Sequence, residues 1–402
     1  MSLAGLVLTA TLALVAGATP MVEIGLERVA AERGQPLRGK RVGLLSGAGS
    51  LAADGRHAVD ILRAAGVDVR RLFGPEHGLR GIAAAGERVA SGIDGPTGLP
   101  FVSLYGDRAR PEAADLAGLD VLVIDLQDVG VRFYSYNSLL VLCLEAAAAA
   151  GVEVVVLDRP NPLGGERIEG PGSDPALPRS LMNMTPGPLV HGLTTGEMAR
   201  YVNGHRPKPA RLTVVPLRGW KRSMTWSDTG RSWIAPSPNL RSAEAALAYP
   251  GVALLEATNL SEGRGTETPF LLFGAPWLRA AAVASAVSVP GFDLEPARFT
   301  PEASAAAPEP KFRGIACAGV RVRVTDTRAT RPYAFGLTLL AAVRRLHPAF
   351  RWARDGAALD ALLGTRSVRE ALERGTPVSE ILATDEAATD AFRRDRASAL
   401  LY

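Results

Sequence analysis

The first half of the chain alternates between two periodicities. Short runs rich in Val, Leu and Ile, "KRVGLLS" (40–46), "VDVRRLF" (67–73), "LDVLVIDL" (119–126) and "VEVVVLD" (152–158), are separated by longer segments with helical spacing. Two of these are "GRHAVDILRAAG" (55–66) and "YNSLLVLCLEAAAAAG" (136–151). Runs this apolar suit strands buried on both faces, as in a parallel sheet; a half-exposed strand would alternate polar and apolar positions. A further helix, "TTGEMARYVNGH" (194–205), precedes another strand, "RLTVVPL" (211–217). The pattern predicts an α/β fold, a Rossmann-like doubly wound and mostly parallel sheet with right-handed crossovers.

After "WIAPSPNL" (233–240) the pattern changes to Ala-rich helices, a stretch containing Pro301, Pro308 and Pro310, a strand "AGVRVRVTD" (318–326) and a helical tail. Residues 21–240 therefore form the expected Rossmann-like domain. Residues 241–402 form a smaller α+β domain packed on it. The opening "MSLAGLVLTATLALVAGATP" (1–20) is too short an apolar run to span a bilayer and ends in small residues, as a signal peptide cut near Ala18 does, although the usual preceding cation is missing. Export to the periplasm or outside the cell is the expectation, with no stable membrane insertion after cleavage.

Composition adds exclusions. The 402 residues carry 47% hydrophobic content, enough for a large core. Cys143 and Cys317 are the only cysteines, too few for a disulfide framework or a cysteine-rich zinc site. The formal charge is +4, but the arginines are scattered, not gathered in a stripe, so nucleic acid is not an expected partner. The five histidines show no metal-binding spacing, no G-x-S-x-G elbow occurs, and no metal is expected. "GAGSLA" (47–52) fits a dinucleotide fingerprint, but the acid that should close the second strand is absent there, Asp68 standing at its beginning.

In open α/β sheets ligands bind beyond the carboxyl ends of the strands. The loops at those ends are "GPEHGLRG" (74–81), "QDVGVRFYSY" (127–136) and "RPNPLGG" (159–165). They bring Glu76, His77, Arg80, Asp128, Arg132, Tyr134, Tyr136, Asp158, Arg159 and Asn161 to one crevice. Acids, arginines and aromatics together suit a sugar or another polar, anionic small molecule.

Those loops, with "SLYG" (103–106), "DRPNPLGG" (158–165), "EGP" (169–171), "HGLTTGEMA" (191–199), "YPGVALLEATNLSEGRGTETPF" (249–270) and "GAPW" (274–277), resemble the exo-β-N-acetylmuramidases of bacterial peptidoglycan recycling. The resemblance implies a glycoside hydrolase that releases terminal, non-reducing N-acetylmuramic acid from fragments such as MurNAc–GlcNAc, without a cofactor. It also implies that residues 21–240 are the catalytic domain and that residues 241–402 complete its cleft. The chain departs from the family at Ser46-Gly47, where a Thr-Asn pair is usual. Glycoside hydrolysis typically needs one acid to protonate the leaving oxygen and a second group at the oxocarbenium-like carbon. Glu76 is the candidate acid, with His77 beside it. Asp128 and Glu262, with Asp125 behind them, are candidates for the second role, as is the 2-acetamido group of the substrate. The lactyl carboxylate calls for a guanidinium, and Arg132, Arg264 and Arg80 are available. Tyr134 and Tyr136 offer stacking and hydroxyl contacts, and Asn239 and Asn259 offer contacts to sugar hydroxyls. Asp158 could simply fix its turn, and Trp220, Trp226 and Trp233 suit packing. The competing readings are a wall-fragment-binding protein without turnover and a nicotinamide oxidoreductase.

Overall fold

The computed structural model describes residues 21–402 apart from Ile82 and Ala85; the expected signal peptide lies outside the described residues. Seven strands form the main sheet: β1 (Arg41–Ser46), β2 (Asp68–Gly74), β3 (Gly92–Ile93), β4 (Pro100–Ser103), β5 (Val121–Asp125), β6 (Glu153–Leu157) and β7 (Leu212–Val215). Their order is β3-β4-β2-β1-β5-β6-β7, and all pairings are parallel except that of β3 with β4. Strand order reverses at β1, which pairs with β2 on one side and β5 on the other. The loops after these three strands therefore flank the topological switch point, where such sheets bind ligands.

Every residue of β5 is buried, as its unbroken Val-Leu-Val-Ile run requires in a sheet covered on both faces. The crossover helix Ser135–Ala150 ends at Gly151, whose left-handed φ of 69° stops it and whose N–H bonds the Ala147 carbonyl. The helix Thr195–Gly204 starts in a capping box, Thr194 accepting from Glu197 N while Glu197 accepts from Thr194 N.

The second sheet is antiparallel, β8 (Leu272–Ala275), β10 (Cys317–Val324) and β9 (Phe292–Phe299) in spatial order β8-β10-β9. Sequence patterning anticipated only β10 here. One apolar core runs from a face of the main sheet (Ile124, Leu126) through Phe270 into the second domain (Val320, Tyr333, Phe335). The end of the chain returns to the first domain. Arg396 donates to the carbonyls of His191 and Gly192, and Leu401 N donates to Glu197 Oε1 at 2.9 Å. The Tyr402 hydroxyl donates to Asp158 Oδ2 at 2.7 Å.

Candidate active site

Glu76 stands two residues beyond β2, half-buried. Its Oε2 accepts from Ser135 Oγ at 2.9 Å and its Oε1 from Gly86 N at 3.1 Å. Ser135 opens the helix that follows β5, so two strand-end loops meet on one carboxyl. The loop after β1 completes the junction: a Cβ added to Gly47 would sit 3.1 Å from Pro75 Cγ and 3.2 Å from the Tyr136 hydroxyl. The half-buried Tyr105 also turns its hydroxyl toward Glu76, whose charge together with burial raises the phenol above its usual range.

His77 adopts a left-handed φ of 71°, uncommon for a residue with a Cβ, and is buried. Its Nδ1 lies 2.9 Å from the Ala83 carbonyl, an acceptor only, which places the ring proton on Nδ1. His77 thus holds the 77–83 turn that carries Glu76's neighbours. Arg80 pairs with Asp94 at 3.2 Å, in a separate depression that it lines with His77 and Ile93.

Asp128 follows β5 and is buried. Its Oδ2 accepts from Gly130 N at 2.9 Å and its Oδ1 from Asn137 Nδ2 at 2.9 Å, while His191 Nε2 lies 3.2 Å from Oδ2. Because His191 Nδ1 accepts from Leu193 N, the ring proton belongs on Nε2, which lies beside Asp128 but makes no hydrogen bond to a described residue. Both carboxyl oxygens are therefore occupied. The rings of Tyr134 and Tyr136 pack on each other at 4.7 Å, and Tyr134 packs edge-on against Tyr249 at 6.3 Å. Both Tyr134 and Tyr136 are buried, so neither ring offers an open stacking face. Desolvation raises the Tyr134 and Tyr249 hydroxyls well above their ordinary range, with the Glu76 and Asp128 charges adding to it.

The second domain supplies the opposite wall. Arg264 Nη1 donates to Glu256 Oε1 at 2.7 Å and to Glu262 Oε1 at 2.9 Å, and its guanidinium lies 5.0 Å from the Phe270 ring centre. Lys311 Nζ is 3.4 Å from Glu262 Oε2, yet it donates to the carbonyls of Leu255, Glu256, Thr258 and Leu260 at 2.8–3.2 Å. Burial opposes ionisation of Glu262, but Arg264 and Lys311 outweigh it and hold the carboxyl below its usual range. Between the walls lies a cleft of about 630 Å³ lined by Gly86 and Glu87 from the first domain and by Glu256, Glu262, Arg264 and Lys311 from the second. Gly86, which bonds Glu76, thus belongs to the cleft wall.

Four residues expected to touch ligand are engaged elsewhere. Arg132 is wholly buried; Nη1 donates to the carbonyls of Pro171 (2.8 Å) and Gly187 (2.6 Å), and Nη2 to that of Leu363. Burial pushes its guanidinium down to about 10. It ties the two domains together and cannot receive a lactyl group. Asn161 is buried, donating to Leu193 O and accepting from Leu163 N within its own loop. Asn259 is paired with the 349–351 backbone through Ala349 O and Arg351 N. Asn239 donates to Ala306 O at 2.8 Å, but its Oδ1 is buried without a partner. Asp125 forms a buried two-pronged pair with Arg159. Asp158 accepts from Arg159 N, Gly196 N, Thr194 Oγ1 and Tyr402 OH, fixing its turn and the chain terminus.

Sequence reasoning missed Ser135, Tyr105, Tyr249, Glu256 and Lys311. Ser135 and Tyr105 follow the strands β5 and β4, so position in a strand-end loop was a usable signal for them; Tyr249 and Glu256 lie in helical turns inside a quoted motif, and Lys311 had no signal. "GAGSLA" does not form a nucleotide cradle. The helix begins only at Ala58, and a Cβ on Gly49 would lie 2.8 Å from Gln127 Cβ, so the turn is filled by protein. Trp226 and Trp233 pack edge-on at 4.9 Å, and Trp220 packs on Tyr402. Both cysteines are buried and free. Among the described residues no group of His, Cys, Asp and Glu gathers as a metal site, and no helix is long and apolar enough to cross a membrane.

A doubly wound sheet with a carboxyl at its switch point, closed by a second domain bearing an ionised carboxylate and a guanidinium, defines a two-domain α/β hydrolase for a polar ligand. Residues 42–244 match the family "Exo-beta-N-acetylmuramidase NamZ, N-terminal" and residues 247–402 its C-terminal counterpart. The chain belongs to the exo-β-N-acetylmuramidase family and is a glycoside hydrolase. It is 38% identical over 388 residues to the peptidoglycan beta-N-acetylmuramidase NamZ of Bacillus subtilis (strain 168), covering 95% of this chain and 92% of that one. Two crystal structures of DUF1343 family proteins from Bacteroides fragilis NCTC 9343 share the fold. One has a TM-score of 0.87 at 31% identity and the other 0.76 at 30%, each match covering 95% of this chain and 99% of the other.

Proposed function

We propose that the chain releases terminal N-acetylmuramic acid from the non-reducing end of peptidoglycan fragments, with Glu76 as the acid. The observation that carries this reading is the Glu76 carboxyl, presented at the switch point and wired through Gly86 to the inter-domain cleft. A Ser135 hydroxyl can donate to the carboxylate and accept from the carboxylic acid, so one partner serves both protonation states of an acid that gives up its proton to the glycosidic oxygen and regains it. Asp128, its oxygens already held by donors, contributes negative potential beside the reacting carbon and does not attack it. Arg264 is the guanidinium on the cleft wall, and its Nη2, which donates to none of the described residues, is the candidate for the lactyl carboxylate.

The apolar segment 1–20 supports export and action on wall fragments in the periplasm or outside the cell. The test is incubation with MurNAc–GlcNAc and with a longer glycan beginning in MurNAc, with products resolved by mass. Free MurNAc released one unit at a time from the non-reducing end supports the reading; internal cleavage or saturable binding without turnover contradicts it.

A further inference from the structure

Glu262 Oε2 is an anomaly that the acid chemistry at Glu76 does not explain. Glu262 is 4% exposed, it lines the cleft, and this oxygen receives no hydrogen bond from the described residues. Lys311 is near enough to lend charge, but its three hydrogens face four backbone carbonyls at shorter range. Arg264 occupies the other oxygen. The cleft therefore contains a buried carboxylate with one vacant acceptor position. A second unfilled acceptor stands behind the same rim: Asn239 anchors its nitrogen on the carbonyl of Ala306, a cleft-lining residue, which leaves Oδ1 without a donor.

A buried acceptor without a donor costs about 1–3 kcal/mol, more when charged. Such an acceptor on the cleft wall specifies its ligand group by chemistry: it must donate, as a hydroxyl or amide N–H does, and it must not be an anion. The lactyl carboxylate is excluded from this position, which separates it from the Arg264 Nη2 direction.

From these observations, and resting on the muramidase reading above, we infer that Glu262 reads the free C4 hydroxyl of the terminal sugar and so makes the enzyme exo-acting. The bond to be cleaved lies at C1, against Glu76. With C1 set at Glu76, the C4 hydroxyl, on the opposite edge of the same ring, would face the second domain's wall. In a terminal residue that oxygen carries a hydrogen and can donate to Glu262. In an internal residue it is an ether oxygen and brings a second acceptor against a carboxylate. Sites built to bind a hydroxyl reject analogues lacking it by about 10⁴–10⁵ in the best cases.

The experiment compares a chromogenic β-MurNAc glycoside with its 4-deoxy analogue, which removes the donor without adding bulk, in the wild type and in Glu262→Ala. The wild type should prefer the parent by at least about 100-fold in kcat/KM, and the variant should turn over both slowly with a ratio near one. Equal wild-type turnover of the two substrates overturns the inference while leaving the muramidase reading intact, as does a variant that keeps the discrimination. Absence of turnover of the parent by folded wild type refutes both. Should Glu262→Ala fail to fold, the wild-type comparison alone decides.

Discussion

Ser135 Oγ donates to Glu76 Oε2 at 2.9 Å although 59 positions separate the two residues. The contact exists because β2 and β5 flank β1 and end at the same edge of the sheet. If this hydrogen bond orients the acid, Ser135→Ala should lower kcat by about tenfold, the worth of one hydrogen bond, with little change in KM. Steady-state kinetics on a chromogenic muramide checks it; a KM effect with unchanged kcat would point to substrate binding instead.

Two of the three arginines offered for the lactyl group, Arg132 and Arg264, should separate cleanly. Arg132→Met leaves three buried carbonyls without donors and should destabilise the fold by roughly 3 kcal/mol or more, read as a lower midpoint in denaturant melts. The folded fraction should keep its preference for muramide over glucosaminide. Arg264→Gln should do the reverse in selectivity, reducing that preference at least about tenfold, because the lactyl group is all that distinguishes the two sugars.

Asp158 gives a pH signature. Desolvation pushes its carboxyl up to about 7, against the lowering effect of Tyr402, Gly196 and Thr194. A carboxyl whose folded value is raised takes up a proton on folding between about pH 4 and 7. Its contribution is present below the unfolded value and lost as pH rises through the folded one. Relative to Asp158→Asn, wild-type stability should therefore decline from pH 4 to pH 7.5, by up to roughly 4 kcal/mol. Urea melts of both proteins across that range measure it; a difference that grows with pH would show Asp158 to be ionised by its four donors.

Much of this was legible in the chain. β1, β2, β5, β6 and β7 fall within a residue or two of the runs that predicted them, because strands buried on both faces leave an unbroken apolar signature. The position of Glu76 just beyond β2, at the switch point, was legible because strand-end loops gather there. The strands β8 and β9 were not: β8 is four residues long, and β9 carries Pro296 and mixed polarity on a sheet edge. Arg132 misled for a physical reason. Its loop follows β5 at the switch point, but Leu363, 231 residues later, takes up its guanidinium and makes it a tie between domains. Lys311 stands in a proline-rich stretch with no pattern, and only the converging carbonyls around its ammonium give it a role.

The central claim is that Glu76 is the acid of a muramic-acid-selective glycosidase. Its most direct test is chromophore release from para-nitrophenyl β-N-acetylmuramide and the matching N-acetylglucosaminide by wild type and Glu76→Gln, with folding checked by circular dichroism. The account predicts turnover of the muramide alone, reduced by several orders of magnitude in folded Glu76→Gln. Undiminished hydrolysis by the folded variant would contradict it.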